Sequence, residues 1–476
     1  MAPAVASRLL RHQLARSPRW CSAARGAQRC YSNNARRMGS DHLRFTYHAD
    51  SSILSQSSAI LKSLKTEVSL ANHTGHDAAV LLTTPELSKH LDDGEFMREF
   101  AQSMASGADV SHFHVMAAVV DNAAMADGAD APFSTLSVLR GHLDDILPRL
   151  WDPVPPKVKE DMETTSALTF DLDRVSITVP LAKTMFHNGR ASTLLLHRYD
   201  MTSGVAKLSH RAETHFKSVK LPTNTSIKSL ADVNLTAGLL PLTVPRRIVS
   251  SFGNIVRGIE IDSQDSPAST ELEVQVNALH DLAQSGSGAS LAASGVWAVI
   301  SPASYPKERL ESMYENDSSG SLSVALPLNL ESRTSHQIQD ILANGGRLYR
   351  ILSGGGGWGV KKGLLSLDPQ ESHFALSEEE QMDRFMRDMD DSGFAPVGSN
   401  IAFFVTLDHP LQDDSGSAFE FGVSGDANED TSLPSSQKVS SKFSVYSQQG
   451  LFVSWPEEKG SARLKVSVPF VRISSE

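Results

Sequence analysis

Between His42 and Asp121, short apolar runs of strand length alternate with stretches whose apolar residues fall at helical spacing, and no other feature limits the fold so tightly. The strand-like runs are Leu43 to Tyr47, Ala78 to Thr83 and Phe113 to Val120. Ser51 to Leu64 carries Ile53, Leu54, Ile60, Leu61 and Leu64, and Pro85 opens a second helix with Leu87, Leu91, Phe96 and Phe100. The order βαβαβ, with apolar strands, predicts a mainly parallel sheet covered by helices. After a stretch from Asn122 to Pro132 that carries few signals, Leu136 to Leu147 reads as a helix closed by Pro148. Pro153, Pro155 and Pro156 mark a boundary.

The period then changes. From about Ala167 to Glu260, runs such as Ala167 to Asp171, Val175 to Val179 and Ser192 to His197 alternate with a period of two, which predicts an antiparallel β region. A helix follows, with Ser266 as N-cap, Pro267 at its first position and Leu272, Val276, Leu279 and Ala283 on one face. Val296 to Ile300 is a buried strand, Ser335 to Ala343 a helix capped by Thr334 and Gln337, and Arg347 to Leu352 another strand. Glu378 to Met389 reads as a helix with a methionine face. Gln412 to Lys442, rich in Ser, Asp and Gly, predicts a disordered acidic insertion, after which Lys442 to Trp455 and Arg463 to Ile473 return to strand alternation. The expected class is α/β plus β: an N-terminal βαβαβ unit, a mainly antiparallel β region and a mixed C-terminal region. The expected segments are a leader over 1–31, an α/β domain over 32–155, a mixed β/α domain over 156–330 and a C-terminal α/β region over 331–476 that contains the insertion 412–442.

The first forty residues hold Arg8, Arg11, Arg16, Arg19, Arg25, Arg29, Arg36 and Arg37 and no carboxylate before Asp41. A segment drawn across a membrane that is negative inside needs this composition, so the sequence predicts a mitochondrial matrix protein. The run Arg29-Cys30-Tyr31-Ser32 fits the matrix-protease pattern with cleavage between Tyr31 and Ser32. Cleavage there removes Cys21 and Cys30, the chain's two cysteines, and leaves 38 basic against 55 acidic residues, a net charge of −17. Disulfides, thiolate metal sites and cysteine nucleophiles are thereby excluded from the mature chain. General nucleic-acid binding is disfavoured, because it depends on a basic surface. No apolar run reaches the roughly eighteen residues that span a bilayer.

The most unusual string runs from Arg347 to Pro369 and contains Ser353, Gly354, Gly355, Gly356, Gly357, Trp358, Gly359, Lys361 and Lys362. Glycines expose backbone amides to an anion, Trp358 offers a stacking face, and Lys361, Lys362 and Arg350 bring positive charge, so 353–362 is the candidate ligand loop. Gly354, Gly356 and Gly359 satisfy G-x-G-x-x-G, but Gly363 and Pro369 leave no room for the long helix a dinucleotide site requires. A Walker A loop fails as well, because Val360 follows the last glycine of the run and no Ser or Thr comes after the lysines. A tightly turned loop packing Trp358 is the structural alternative. His112 with His114, and His73 with His76 and Asp77, are pairs or crowded loops rather than ligand sets, and no metal or cofactor is assigned. Glu271 and Glu273 sit where a helix macrodipole accounts for them.

The opening unit, with its Thr83-Thr84-Pro85 turn and the strand Val115 to Asp121, resembles the N-terminal part of FIST-type sensory domains over roughly residues 43 to 125. That resemblance implies binding of a small ligand, with amino acids among the candidates, and it transfers no ligand residue. Two further strings, Ser251 to Arg257 with Pro267 to Glu273, and Gly354 to Pro369, resemble those of a family of fungal mitochondrial proteins. The functional expectation is a soluble mitochondrial ligand-binding or scaffolding protein. The alternatives are an enzyme acting on a phosphate-bearing small molecule through 353–362, or an accessory factor for assembly of a mitochondrial complex.

Overall fold

The structure is a computed structural model that describes residues 42–49, 57–69, 75–124, 134–153, 166–284, 295–311, 327–354, 363–374, 382, 393–406, 416–425, 438–457 and 460–475. The leader with its Tyr31–Ser32 junction lies outside them. The described residues form a mixed α/β molecule made mostly of strands, arranged in four sheets.

Seven strands form the first sheet in the order β20-β1-β4-β2-β3-β7-β8. They are β1 (Leu43–Ala49), β2 (Ala78–Thr83), β3 (His112–Val119), β4 (Ser134–Gly141), β7 (Leu194–Asp200), β8 (Lys207–Glu213) and β20 (Lys438–Ser440). Only β2 and β3 pair in parallel, from Ala78 opposite His114 to Thr83 opposite Val119. Every other pairing is antiparallel, which corrects the expectation of a mainly parallel sheet. The cause is β4. Its residues were expected to begin a helix, but Ser134–Gly141 fills the slot between β1 and β2 and is buried at all positions. A central slot selects an extended segment, which the β-branched Thr135 and Val138 suit. Only Leu143–Ile146 is helical.

Helices cover one face of this sheet. The helix expected from Pro85 is three pieces, Pro85–Leu87, Ser88–Asp92 and Gly94–Met104, because Asp93 is extended and its carboxylate accepts the amide of Glu95 at 2.9 Å as an N-cap. With the Ser57–Ser69 helix, these pieces bury Phe45, Leu81, Val115, Val138 and Leu195. The opposite face packs on two further sheets through one continuous core that includes Val80, Met116, Phe170, Ile177, Phe421 and Val453. One of these sheets has the order β23-β22-β6-β5-β9, with β5 (Ala167–Leu172), β6 (Val175–Pro180), β9 (Phe216–Lys220), β22 (Leu451–Glu457) and β23 (Gly460–Val466). The other has the order β10-β24-β19-β21, with β10 (Asn234–Thr236), β19 (Phe419–Val423), β21 (Phe443–Ser447) and β24 (Arg472–Ser475).

β19 corrects the expectation of a disordered insertion over 412–442. It is buried at all five positions and lies between β21 and β24. Its Phe-Glu-Phe-Gly-Val pattern carries enough apolar surface to hold a strand, whatever the polarity of its flanks. Residues 412–415 and 426–437 of that segment lie outside the described residues.

The remaining strands close on themselves. β12 (Arg246–Phe252), β13 (Ile255–Ile261), β17 (Leu365–Leu367), β16 (Arg347–Gly354), β15 (Val296–Ser301) and β18 (Asn400–Thr406) pair in that order, and β18 pairs back on β12 to complete a six-stranded antiparallel barrel. β11 (Leu239–Pro241) extends from β18, and β14 (Gln264–Pro267) from β13. Alternation along β18 shows how the barrel is filled: Ile401, Phe403 and Val405 join the interior cluster, while Ala402 and Phe404 join the large core outside. Pro267 ends β14 opposite Gly258, so the following helix starts at Thr270 and runs to Gln284, three residues later than expected. The Pro327–Ala343 helix is longer than expected, and Thr334 and Ser335 lie inside it. Ser335 exchanges hydrogen bonds with the amide and carbonyl of Ala237, and Gln339 bonds the backbone of Leu230, Val233 and Leu235. The expected helix Glu378 to Met389 falls, apart from Met382, outside the described residues. Each of the four sheets draws strands from more than one of the expected segments.

Candidate functional site

β16 and β17 form a hairpin that carries the two ends of the glycine-rich string. Gly354 belongs to β16, opposite Leu365, and a side chain there would come within 2.6 Å of Leu365 Cδ2, so this glycine allows close strand packing. Gly355, Gly356, Gly357, Trp358, Gly359, Lys361 and Lys362 lie outside the described residues. Gly363, at φ +86°, abuts Pro267, and its carbonyl accepts the amide of Ser269 at 3.1 Å. The string thus returns to the start of the Thr270–Gln284 helix. Two carboxylates already occupy that helix end: Glu273 takes the Ser269 hydroxyl, and Glu271 accepts from Arg246 through Nε at 2.9 Å and Nη2 at 2.7 Å. They compensate the positive end of the helix and leave it poorly suited to an external anion.

The other end of the hairpin is different. There β16 packs against β23, and Arg347, Tyr349, Arg350, Asp368, Gln370, Glu371, Arg463 and Lys465 line a cleft. Lys465 donates to Asp368 Oδ2 and to Gln370 Oε1, each at 2.7 Å, and the amide of Asp368 donates to the carbonyl of Arg350 at 2.9 Å. Tyr349 reaches Glu371 at 3.5 Å. Arg347 is half-buried and Arg350 exposed, and neither guanidinium has a side-chain hydrogen bond or ion pair among the described residues. Four cations therefore meet two carboxylates in a chain whose overall charge is −11. The cleft has a volume of about 10 Å³, room for about one water. A whole metabolite does not fit inside it, whereas a single phosphate or carboxylate group presented from outside fits its chemistry.

The histidines are built into the framework. His114 accepts the indole N–H of Trp151 at 3.0 Å, Arg198 stacks over that indole at 4.8 Å, and His210 approaches it at 5.1 Å. Burial, then the Arg198 charge, lowers the pKa of His114 to about 4, so at neutral pH it is a hydrogen-bond acceptor. His112 is exposed at the start of β3. His76 lies between His42 at 6.2 Å and His142 at 5.1 Å, and His73 is outside the described residues. No group of three potential metal ligands converges among the described residues, and none of their helices is long and apolar enough to cross a membrane.

The sequence analysis singles out Arg350 but not Arg463 or Lys465, which the structure brings beside it. The available signal is their alternation about the buried Leu464, which puts two cations on one face of an edge strand. Comparison with known proteins adds no relative: no family model, no curated protein and no solved structure matches the chain.

Proposed function

We propose that this is a ligand-binding module of the mitochondrial matrix whose ligand presents an anionic group, a phosphate or a carboxylate, to Arg347, Arg350, Arg463 and Lys465. The observation that carries the reading is the pair of guanidiniums, Arg347 and Arg350, that have no side-chain partner among the described residues and stand beside Lys465 in an acidic chain, since planar N–H forks suit carboxylate and phosphate oxygens. The loop 353–362 is the second arm of the same reading. It joins the far end of the hairpin, about 13 Å from Arg350 at the usual rise per strand residue. The leader composition supports the matrix address. The FIST-like βαβαβ reading of the N-terminal part draws support from the common direction of β1, β2 and β3 and from the helices between them.

Calorimetric titration of the full chain with pyrophosphate, ADP and citrate tests this. Substituting Met at both Arg347 and Arg350 is expected to weaken binding by roughly 1 to 3 kcal/mol, on the scale of lost charge-assisted hydrogen bonds, while the melting temperature stays within two degrees or so. A loss confined to the Lys361→Met, Lys362→Met pair would move the site to the loop. Equal binding by both double variants would refute the reading. N-terminal sequencing of the organellar protein should begin at Ser32, and an intact Met1 would refute the address.

A further inference from the structure

A groove of about 370 Å³ opens between the first turn of the Gly94–Met104 helix and the connection from β7 to β8. Its volume lies at the lower end of the range of small-molecule sites, roughly 300 to 1,000 Å³. Its floor is apolar, with Val205 55 % and Leu208 47 % exposed beside the ring of Tyr199. Tyr199 is 1 % exposed, yet its hydroxyl has no hydrogen-bond partner among the described residues, although a buried phenol ordinarily finds one. Burial raises its pKa to about 12, so the hydroxyl remains a donor at neutral pH.

Two cations, Arg98 and Lys207, stand on the rim. Arg98 forms ion pairs with Glu95 and Glu99 at 3.6 and 3.8 Å, too long for hydrogen bonds, and the carboxylate of Asp200, opposite Lys207, is engaged by the hydroxyl and amide of Thr202. Over the first helical turn, a side chain at Gly94 would meet nothing within 4 Å, which leaves open space.

From the apolar floor, the two rim cations and the unpartnered hydroxyl, we infer that this groove binds an apolar monocarboxylate, an aliphatic or aromatic acid of medium size. The hydrocarbon lies on Val205 and Leu208, and the carboxylate accepts from the Tyr199 hydroxyl beside Arg98. A neutral hydrocarbon would leave the cations and the hydroxyl unused, and a small polyanion would leave the apolar floor uncovered. The site is independent of the Arg347 cleft.

Octanoate, octanol and octylamine, titrated into the full chain by calorimetry, provide the test. Octanoate is expected to bind saturably at one site, and octanol and octylamine each roughly tenfold more weakly. Tyr199→Phe should weaken octanoate about tenfold and leave octanol unchanged. Leu208→Asp, on an exposed edge strand, should abolish binding of both without moving the melting temperature, so the test does not depend on the Tyr199 variant being folded. Absence of saturable octanoate binding, octanol binding as tightly as octanoate, or octanoate binding unaltered by Leu208→Asp would each overturn the inference.

Discussion

The six-stranded barrel and the seven-stranded sheet both bury apolar side chains from every quarter, but they treat polar groups in opposite ways. Inside the barrel, Ile248, Val256, Ile259, Ala298, Ile300, Leu365, Leu367, Ile401, Phe403 and Val405 meet as an apolar cluster, and closure leaves the ring no open edge. The sheet instead carries buried polar groups on both faces. Under its helices lie His197 and Arg140; Arg140 is fully buried, with one bond to the Ser106 carbonyl at 3.3 Å and with Nε and Nη1 unpartnered. On its other face Thr46, Ser137 and Ser444 share hydrogen bonds with one another and with the Lys442 carbonyl. The barrel interior therefore depends chiefly on packing, and the sheet depends on packing plus the protonation and satisfaction of particular groups.

Among single substitutions, the largest effect should come from the barrel. Phe403→Ala opens a cavity among residues that cannot collapse around a closed ring, and it should cost about 3 to 5 kcal/mol. Urea unfolding at pH 7 and at pH 5 should give the same difference between variant and parent, and a difference that shrinks at pH 5 would break the contrast.

The sheet should fail first in acid. Burial lowers the pKa of His114 and of His197 to about 4, from an unfolded value near 6.5. Between those values the unfolded chain binds more protons, so the stability conferred by the neutral rings is present above about pH 6.5 and is lost as pH falls toward 4. Each ring contributes a slope of at most about 1.4 kcal/mol per pH unit, and a combined loss of about 3.5 kcal/mol between pH 7 and pH 5 is expected. Burial raises Asp121 and Asp171, which acts in the opposite direction. His114→Gln and His197→Gln should each flatten the slope by about half. An unchanged slope in both would show that the rings are not held neutral by the fold.

The same contrast explains how much of the molecule is legible. β2 follows from local pattern, because its apolar residues are buried by whatever covers them. β4 does not: Leu136, Leu139, Leu143 and Leu147 also satisfy a helical spacing, and only the slot between β1 and β2 decides. β19 is hidden by the polar residues on either side, and its partner β24 lies about fifty residues away. Barrel closure pairs Val296 with Val405 across more than a hundred residues. Of the candidate cleft, Arg347, Arg350 and Asp368 belong to one recognisable string, whereas nothing local says that Arg463 and Lys465 come to lie against it.

A smaller effect tests the seam. Thr46→Val keeps the shape but removes a hydroxyl that lies 2.8 Å from Ser137, 2.9 Å from the Lys442 carbonyl and 3.2 Å from Ser444, and it should cost about 1 to 2 kcal/mol. Thr243, whose hydroxyl accepts the amide of Phe403 at 3.1 Å, is the barrel's counterpart. Thr243→Val losing more than Thr46→Val would show that the barrel too relies on a polar group.

The smallest effect concerns 412–442, where composition alone suggested that the whole stretch could be removed. The structure divides it. Phe419, Phe421 and Val423 are each no more than 2 % exposed, so excising β19 forfeits about 1.5 to 3 kcal/mol of burial per side chain and leaves β21 and β24 without the strand between them. That deletion should leave no cooperative unfolding transition. Replacing only 426–437 is a different operation. The linker there has to join Gly425, beyond β19, to Lys438 at the start of β20, which pairs with β1. An eight-residue Gly/Ser linker reaches about 26 Å when extended. Loop-closure entropy changes only slowly with length, and the parent residues there, rich in Asp, Asn, Ser and Glu, bring little apolar surface. Urea unfolding of this variant should therefore lie within about 0.5 kcal/mol of the parent. A loss of several kcal/mol would mean that 426–437 contribute packed contacts as β19 does, and that the dependence of the strand-rich core on its connections is larger than its buried surface implies.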